Sequence, residues 1–226
     1  MPMSDQQTLL RLLSERRSVR GFLQQPVANA LLQQIFSDAQ LSPSNCNTQP
    51  WHTYVASGAS CQRLRQGLVE QASSGVTPKA EFGYYSQFEG DARQRQVECA
   101  EVLYGSMGIE RGDKVGRMGA LLRNYQFFDA PHVAFICMDT RFDVVNAIDI
   151  GTYLQTLMLL LQANGISSCA QGALAYFPEL VKQELDIPAE QGIIVGLSFG
   201  YEDPNHPTCA ARTSRAAVQQ SVSFKS

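Results

Sequence analysis

Ser42-Pro43-Ser44-Asn45-Cys46-Asn47-Thr48-Gln49-Pro50-Trp51 sets three amide side chains between two prolines and leads into residues 51–56, whose alternation predicts a short strand closed by a Ser57-Gly58 turn. The prolines stiffen the turn. Asn45, Asn47 and Gln49 can each donate and accept, which suits hydroxyl groups or the edge of a planar ring. Ser and Asn ahead of a strand are also ordinary turn formers, and Trp51 is an ordinary core residue. Their density between two prolines is what marks the loop as a site.

Upstream, Val27, Leu31, Leu32, Ile35, Phe36 and Ala39 recur at helical spacing and stop short of Pro43, which biases Ser42 towards extended backbone. That helix joins the loop to Arg16-Arg17-Ser18-Val19-Arg20. An earlier helix over 4–14 carries Leu9, Leu10, Leu12 and Leu13, with Ser4 or Asp5 placed to satisfy its first amides. In an extended segment Arg16, Ser18 and Arg20 share one face, and Arg17 and Val19 take the other. Guanidinium forks and a hydroxyl match phosphate oxygens, although R-R-S-x-R in isolation reads as a basic helix end in water.

Downstream, 132–138 and 192–199 are β-branched and aromatic runs of strand length. Between them, 144–162 is apolar on several faces and predicts a helix covered on more than one side, ended by Asn164-Gly165. A short helix over 178–185 has Pro at its first turn. Residues 61–125 are less regular, with Phe82, Tyr84, Tyr85, Phe88 and Tyr104 set among charges and glycines. They read as an excursion or lid, a solvated helical insertion with its aromatics packed beneath.

Helices outnumber strands and no βαβ alternation, G-x-G-x-x-G or Walker sequence occurs, so a single α+β domain over 1–226, a sheet wrapped by helices, is expected rather than a Rossmann fold. In Cys169-Ala170-Gln171-Gly172-Ala173 the small residues let backbone amides approach a flat ring, and tight packing explains them equally. Arg212 and Arg215, after Gly200-Tyr201, could return to the N-terminal arginines or stay in water as a basic tail.

The 226 residues are 44% hydrophobic and 17% charged, a soluble globular composition. Eighteen Lys plus Arg against twenty-one Asp plus Glu leaves −3, too little basicity for a nucleic-acid or anionic-membrane partner. Six scattered cysteines without a C-x-x-C pair fit reduced thiols in the cytoplasm, and three isolated histidines give no metal spacing. The strongly apolar run at 157–161 is far shorter than the roughly 20 residues of a membrane span.

Taken in order, R-x-S-x-R, then S-P-S-x-x-N-x-Q-P-W, then a terminal G-Y followed by basic residues, the chain resembles the nitroreductase family of flavin mononucleotide (FMN) enzymes along nearly its whole length. Arg123-Asn124-Tyr125, Phe127-Phe128-Asp129-Ala130-Pro131 and Asp149-Ile150-Gly151 look most like the branch that reduces nitrobenzoates and related nitroarenes. The resemblance implies a mainly antiparallel sheet and an intertwined homodimer, with FMN in interfacial clefts touched by both subunits. It also implies NADH or NADPH as donor and a small aromatic acceptor. Arg16, Ser18, Arg20 and Arg215 would hold the phosphate, assisted by Arg17 and Arg212. Pro43, Ser44, Asn45 and Asn47 would approach the flavin from the partner subunit. Ala170, Gln171, Gly172 and Ala173 would lie along the ring with the Gly172 amide facing N5, and Arg123 would support the reduced flavin electrostatically.

No catalytic triad is implied, because the flavin does the chemistry: hydride from NAD(P)H would pass through N5 to a nitro group in a ping-pong cycle, giving nitroso and then hydroxylamine. Two departures stand out. Many relatives have Pro where Ala170 stands, and a P-L-E-E type sequence where Ala217-Val218-Gln219-Gln220 stands. On the same fold, reduction of quinones, free flavin or enones, or reductive dehalogenation, are alternatives. A flavin-binding redox sensor without turnover is another, and an adaptor without cofactor is the plainest.

Overall fold

The computed structural model describes residues 3–83 and 87–225, so Tyr84 and Tyr85 lie outside the described residues. In chain order the elements are α1 (Asp5–Glu15), α2 (Asn29–Ala39), β1 (His52–Ser57), α3 (Gly58–Ser73), α4 (Gly90–Ser106), α5 (Lys114–Leu122), β2 (His132–Asp139), α6 (Val144–Ala163), β3 (Ser167–Gln171), α7 (Pro178–Leu185) and β4 (Gln191–Gly200). The four strands form one sheet in the order β1-β2-β4-β3, and every pairing is antiparallel.

β2 shows why the sheet needs helices on both faces. Successive side chains point to opposite sides of a strand, and here both sets are buried. Val133, Phe135 and Cys137 pack with α3, α7 and Tyr125, Phe127 and Phe128, whereas Ala134, Ile136 and Met138 pack with α2, α6 and Trp51. Trp51 stacks on Tyr153 of α6 at 4.9 Å between ring centroids. His132 is pinned between the layers: its Nε2 accepts from the Val27 amide at 2.9 Å, so Nδ1 carries the proton shared with Ser57 Oγ at 2.6 Å.

Helix ends follow local chemistry. Ser4 and Gln7 form a reciprocal capping box at the start of α1. Gly165 takes a φ of +72° after the Asn164 cap of α6. Pro178 occupies the first turn of α7. α2 starts two residues after Val27, which stays outside the helix so that its amide can reach His132.

The expected excursion over 61–125 is corrected at its start. Ser57-Gly58 is no free turn: Gly58, at a φ of +55°, opens α3 directly, and Cys61, Leu64 and Leu68 are fully buried in the core. Those three recur at i, i+3 and i+7, a helical stripe that the surrounding charges obscure. α4 and α5 bury no residue completely and form the exposed part of the segment.

The apolar run at 157–161 lies within α6, which spans the helix expected over 144–162 and is long and apolar enough, by length and composition alone, to cross a membrane. Its place in the fold uses those residues otherwise. Ile150, Tyr153, Leu157 and Leu161 are buried against the sheet and α2, while Val144, Val145 and Ile148 are exposed.

Candidate active site at the end of β3

The segment after α1 runs alongside β3. Ser18 bridges to Ser168, and the Val19 amide donates to the Ser168 carbonyl at 3.1 Å. Extended backbone then sorts the side chains by parity. Val19 is buried, and Arg17 turns the same way to pair with Glu202. Arg16, Ser18 and Arg20 gather on the opposite face around the Cys169 thiol. Burial pushes that thiol up, while Arg20, the Ser18 hydroxyl and Arg16 pull it down.

Arg17, expected to assist at the phosphate, is thus engaged with Glu202. Arg16 and Arg20 form no ion pair with a carboxylate among the described residues. Two half-buried, uncompensated guanidinium groups beside a serine hydroxyl are the donor set a phosphate requires.

β3 itself was not foreseen, because Ser-Ser-Cys-Ala-Gln lacks the β-branched alternation of the other strands. It places Ala170 and Gln171 on the sheet and passes into a single 3₁₀ turn, Gly172–Ala175. The Gln171 side chain is locked inward: its amide nitrogen donates to the Asn124 carbonyl at 2.9 Å, and Ser198 Oγ donates to its carbonyl oxygen. Only the backbone of Gln171 is left to meet a ligand. Gly196 on β4 allows the turn its position, since a Cβ there would fall 2.4 Å from Leu174 Cδ1.

Arg123 caps α5, donating to Asp129 Oδ2 at 3.0 Å and to the Arg20 carbonyl at 3.2 Å. With Arg20 and Phe128 it lines a small cavity of about 70 Å³. Beside it, Phe127, Phe128 and Asp129 all have positive φ. Strained backbone of this kind persists where its surroundings over-determine it, and it concentrates at functional sites. Here Arg65 donates to the Ala130 carbonyl at 2.8 Å, the Phe22 amide donates to the Phe128 carbonyl at 3.2 Å, and both phenyl rings are buried.

The proline-bounded loop is built differently. Cys46, Asn47 and Gln49 have positive φ, and Pro43, Asn45, Asn47 and Gln49 are exposed. Hydrogen bonds hold it: Gln49 N to Ser44 Oγ at 2.9 Å, Asn45 N to Asp149 Oδ1 at 3.0 Å, and Thr152 Oγ1 to the Pro43 carbonyl at 3.0 Å. Asp149 and Thr152 tie it to α6. Asp149 is buried and was missed as a site residue, although it heads the Asp-Ile-Gly segment that the sequence singles out.

Arg212 and Arg215 are placed elsewhere. Arg212 donates to the Cys209 carbonyl at 2.6 Å, Arg215 donates to the Ser214 carbonyl at 2.8 Å, and both line a cavity against α4 with Arg95 and Glu98. None of these contacts joins them to Arg16 or Arg20. All six cysteines are free; burial raises the thiols of Cys61, Cys137 and Cys169, Cys137 to about 12, whereas Cys46 is exposed.

Comparison with known proteins agrees with this geometry. A model of the nitroreductase family matches residues 13–201. Nitroreductase NfnB of Mycolicibacterium smegmatis is 35% identical over 216 residues, covering 95% of this chain and 91% of that one. A 4-nitrobenzoate reductase of Pseudomonas putida is 33% identical over 214 residues, covering 94% and 93%. The crystal structure of the FMN-dependent NfnB from Mycobacterium smegmatis in complex with NADPH superposes with a TM-score of 0.95 at 33% identity, over 99% of this chain and 100% of the other. An FMN- and NADPH-dependent NfnB from a Sphigopyxis strain gives 0.91 at 32%, over 96% and 98%. With motif order, sheet topology and overall likeness in agreement, this chain belongs to the nitroreductase family.

Proposed function

We propose that this chain is a cytoplasmic FMN-dependent oxidoreductase that uses NAD(P)H to reduce nitroaromatic compounds. The observation that carries the reading is the convergence of Arg16, Ser18 and Arg20 on one face beside the small-residue end of β3, with neither arginine neutralised by a carboxylate. Bound there, FMN would supply hydride exchange, first with the nicotinamide and then with a nitro group, in ping-pong order.

The chain's own residues bind, orient and exclude. Arg16, Ser18 and Arg20 anchor the phosphate by charge-assisted hydrogen bonds. Ala170, Gly172 and Ala173 offer backbone and little side chain, so a flat ring can lie close to the Gly172 amide. Arg123, held by Asp129 and the Arg20 carbonyl, brings fixed positive charge to the same cleft, where it favours negative charge on a reduced ring. Arg212 and Arg215 would reach the phosphate only after the tail leaves α4.

A second copy of the chain completes the site in this reading. Leu9, Leu10 and Leu13 of α1 and Val144, Val145 and Ile148 of α6 are exposed, with Ile148 62% and the nearby Leu41 86% accessible. Exposed apolar side chains on two adjoining helices support an interface there. The exposed loop that α6 carries would then place Pro43, Ser44, Asn45 and Asn47 on the partner's flavin.

Purification with FMN supplied, release of the flavin, and steady-state assays over nitrobenzoate, quinone and enone acceptors test the reading. A yellow dimer that oxidises NAD(P)H fastest with nitrobenzoate is expected. A colourless protein, or one indifferent to nitroarenes, would refute it.

A further inference from the structure

Gln171 is the last residue of β3, paired with Gly196, and Gly172 after it opens a 3₁₀ turn. The first amide of such a turn has no acceptor inside it, so the conformation of Gln171 sets where the Gly172 N–H points. The proposed reaction uses only this backbone. The side chain is nevertheless long, polar and 4% exposed, and a buried amide has to be satisfied within the protein.

Both ends of that amide are specified. Nε2 donates to the Asn124 carbonyl at 2.9 Å and lies 3.3 Å from Asn124 Oδ1, which is turned towards it because Asn124 Nδ2 donates to the Leu121 carbonyl at 3.0 Å. At the other end the fully buried Ser198 hydroxyl donates to Oε1. A flipped amide would set its oxygen against the Asn124 carbonyl, so one orientation serves every partner. The same carbonyl accepts from the Phe127 amide at 3.1 Å, where α5 passes into the turn of positive φ. Arg123 is its neighbour in the chain, aimed by Asp129 and the Arg20 carbonyl. Gln171 therefore ties the end of β3 to the end of α5 at a depth where water cannot take over its bonds.

We propose that Gln171 is a positioning residue for the redox step: its one buried amide holds the Gly172 N–H and the Arg123 guanidinium in fixed relation, so that both meet the same flavin ring. The inference rests on the reading that FMN lies at the end of β3. Negative charge gained by the ring on reduction is stabilised best by donors already in place, so the brace acts on reduction more than on binding. The phosphate anchors Arg16, Ser18 and Arg20 stand on a separate segment, and retention of the oxidised cofactor does not depend on the brace.

The test uses Gln171→Met, which keeps the shape and removes the bonds, and Gln171→Met/Ser198→Ala, which also removes the hydroxyl left without its acceptor. That orphaned hydroxyl destabilises the single variant, and the double variant should regain most of the urea midpoint. Both variants should bind oxidised FMN like the parent, hold it at a more negative midpoint potential, and reduce it about 10- to 100-fold more slowly at saturating NAD(P)H with KM unchanged. In the flavin-free proteins, amide hydrogen exchange over 123–129 and 172–176 should quicken in both variants. A potential that returns to the parent value together with the urea midpoint would make Gln171 merely structural and overturn the proposal, as would exchange that quickens in only one of the two segments. A parent that takes up no FMN would sink the proposed function and this inference with it. Flavin uptake with a potential unmoved by the loss of Gln171 sinks this inference alone.

Discussion

The turns at 46–49 and at Phe127–Asp129 both hold non-glycine residues in the left-handed region, yet they are stabilised by opposite means. Phe127 and Phe128 are buried under α3, α7 and β2, so hydrophobic burial of the rings offsets the backbone cost within one chain. Cys46, Asn47 and Gln49 are exposed, and their loop is held by hydrogen bonds instead: Ser44 Oγ accepts from Gln49 N, Asp149 accepts from Asn45 N, and Thr152 Oγ1 donates to the Pro43 carbonyl. The difference separates a turn that belongs to folding from one that the proposed dimer would use in assembly. The first shapes the pocket wall near Arg123. The second is presented outwards, where a second subunit would meet it.

The comparison is broken most severely at the buried turn. Phe127→Ala is expected to cost about 3–5 kcal/mol, read as a lower urea midpoint, with flavin lost only because the fold is lost. If stability holds and flavin alone is lost, Phe127 is a ligand contact and the distinction fails. At the exposed turn, Asp149→Ala removes the acceptor of the Asn45 amide and should loosen the loop by about 1–3 kcal/mol. Flavin affinity and dimer stability should both fall while the far-ultraviolet circular dichroism is retained. A dimer unchanged in sedimentation and flavin titration would separate the loop from assembly.

The smallest effect is on pH dependence. Burial lowers the pKa of His132, and burial together with Arg123 lowers that of His206. Neutral His132 is the form that accepts from Val27, so its contribution is fully present above the unfolded value of about 6.5 and is lost as pH falls from there through the folded value. Urea midpoints should therefore decline below about pH 6.5, and His132→Gln should flatten the decline. A flat wild-type profile would remove His132 as the pin between the layers.

What the sequence made legible follows the range of the forces involved. β2, β4 and α6 are long and strongly patterned, and the parity of Arg16-Arg17-Ser18-Val19-Arg20 was enough to separate the proposed phosphate ligands Arg16, Ser18 and Arg20 from buried Val19. α3 was hidden because its buried stripe of three residues sits among charges, and β3 because its five small residues carry no periodic signal. The Arg17–Glu202 pair spans 185 residues, and no local pattern announces it. The tail arginines show the limit from the other side. Their type suggested a phosphate, but their contacts in one chain are with their own backbone and the α4 cavity.

The central claim is that Arg16, Ser18 and Arg20 hold a phosphate at the end of β3, and the most direct measurement is the affinity of the flavin-free protein for FMN against riboflavin, which lacks that phosphate. Two charge-assisted hydrogen bonds at about 1.5–3 kcal/mol each imply a preference for FMN on the order of 100-fold or more. Arg16→Ala/Arg20→Ala should abolish that preference and leave riboflavin affinity unchanged. A variant that still favours FMN as strongly as the parent would contradict the account.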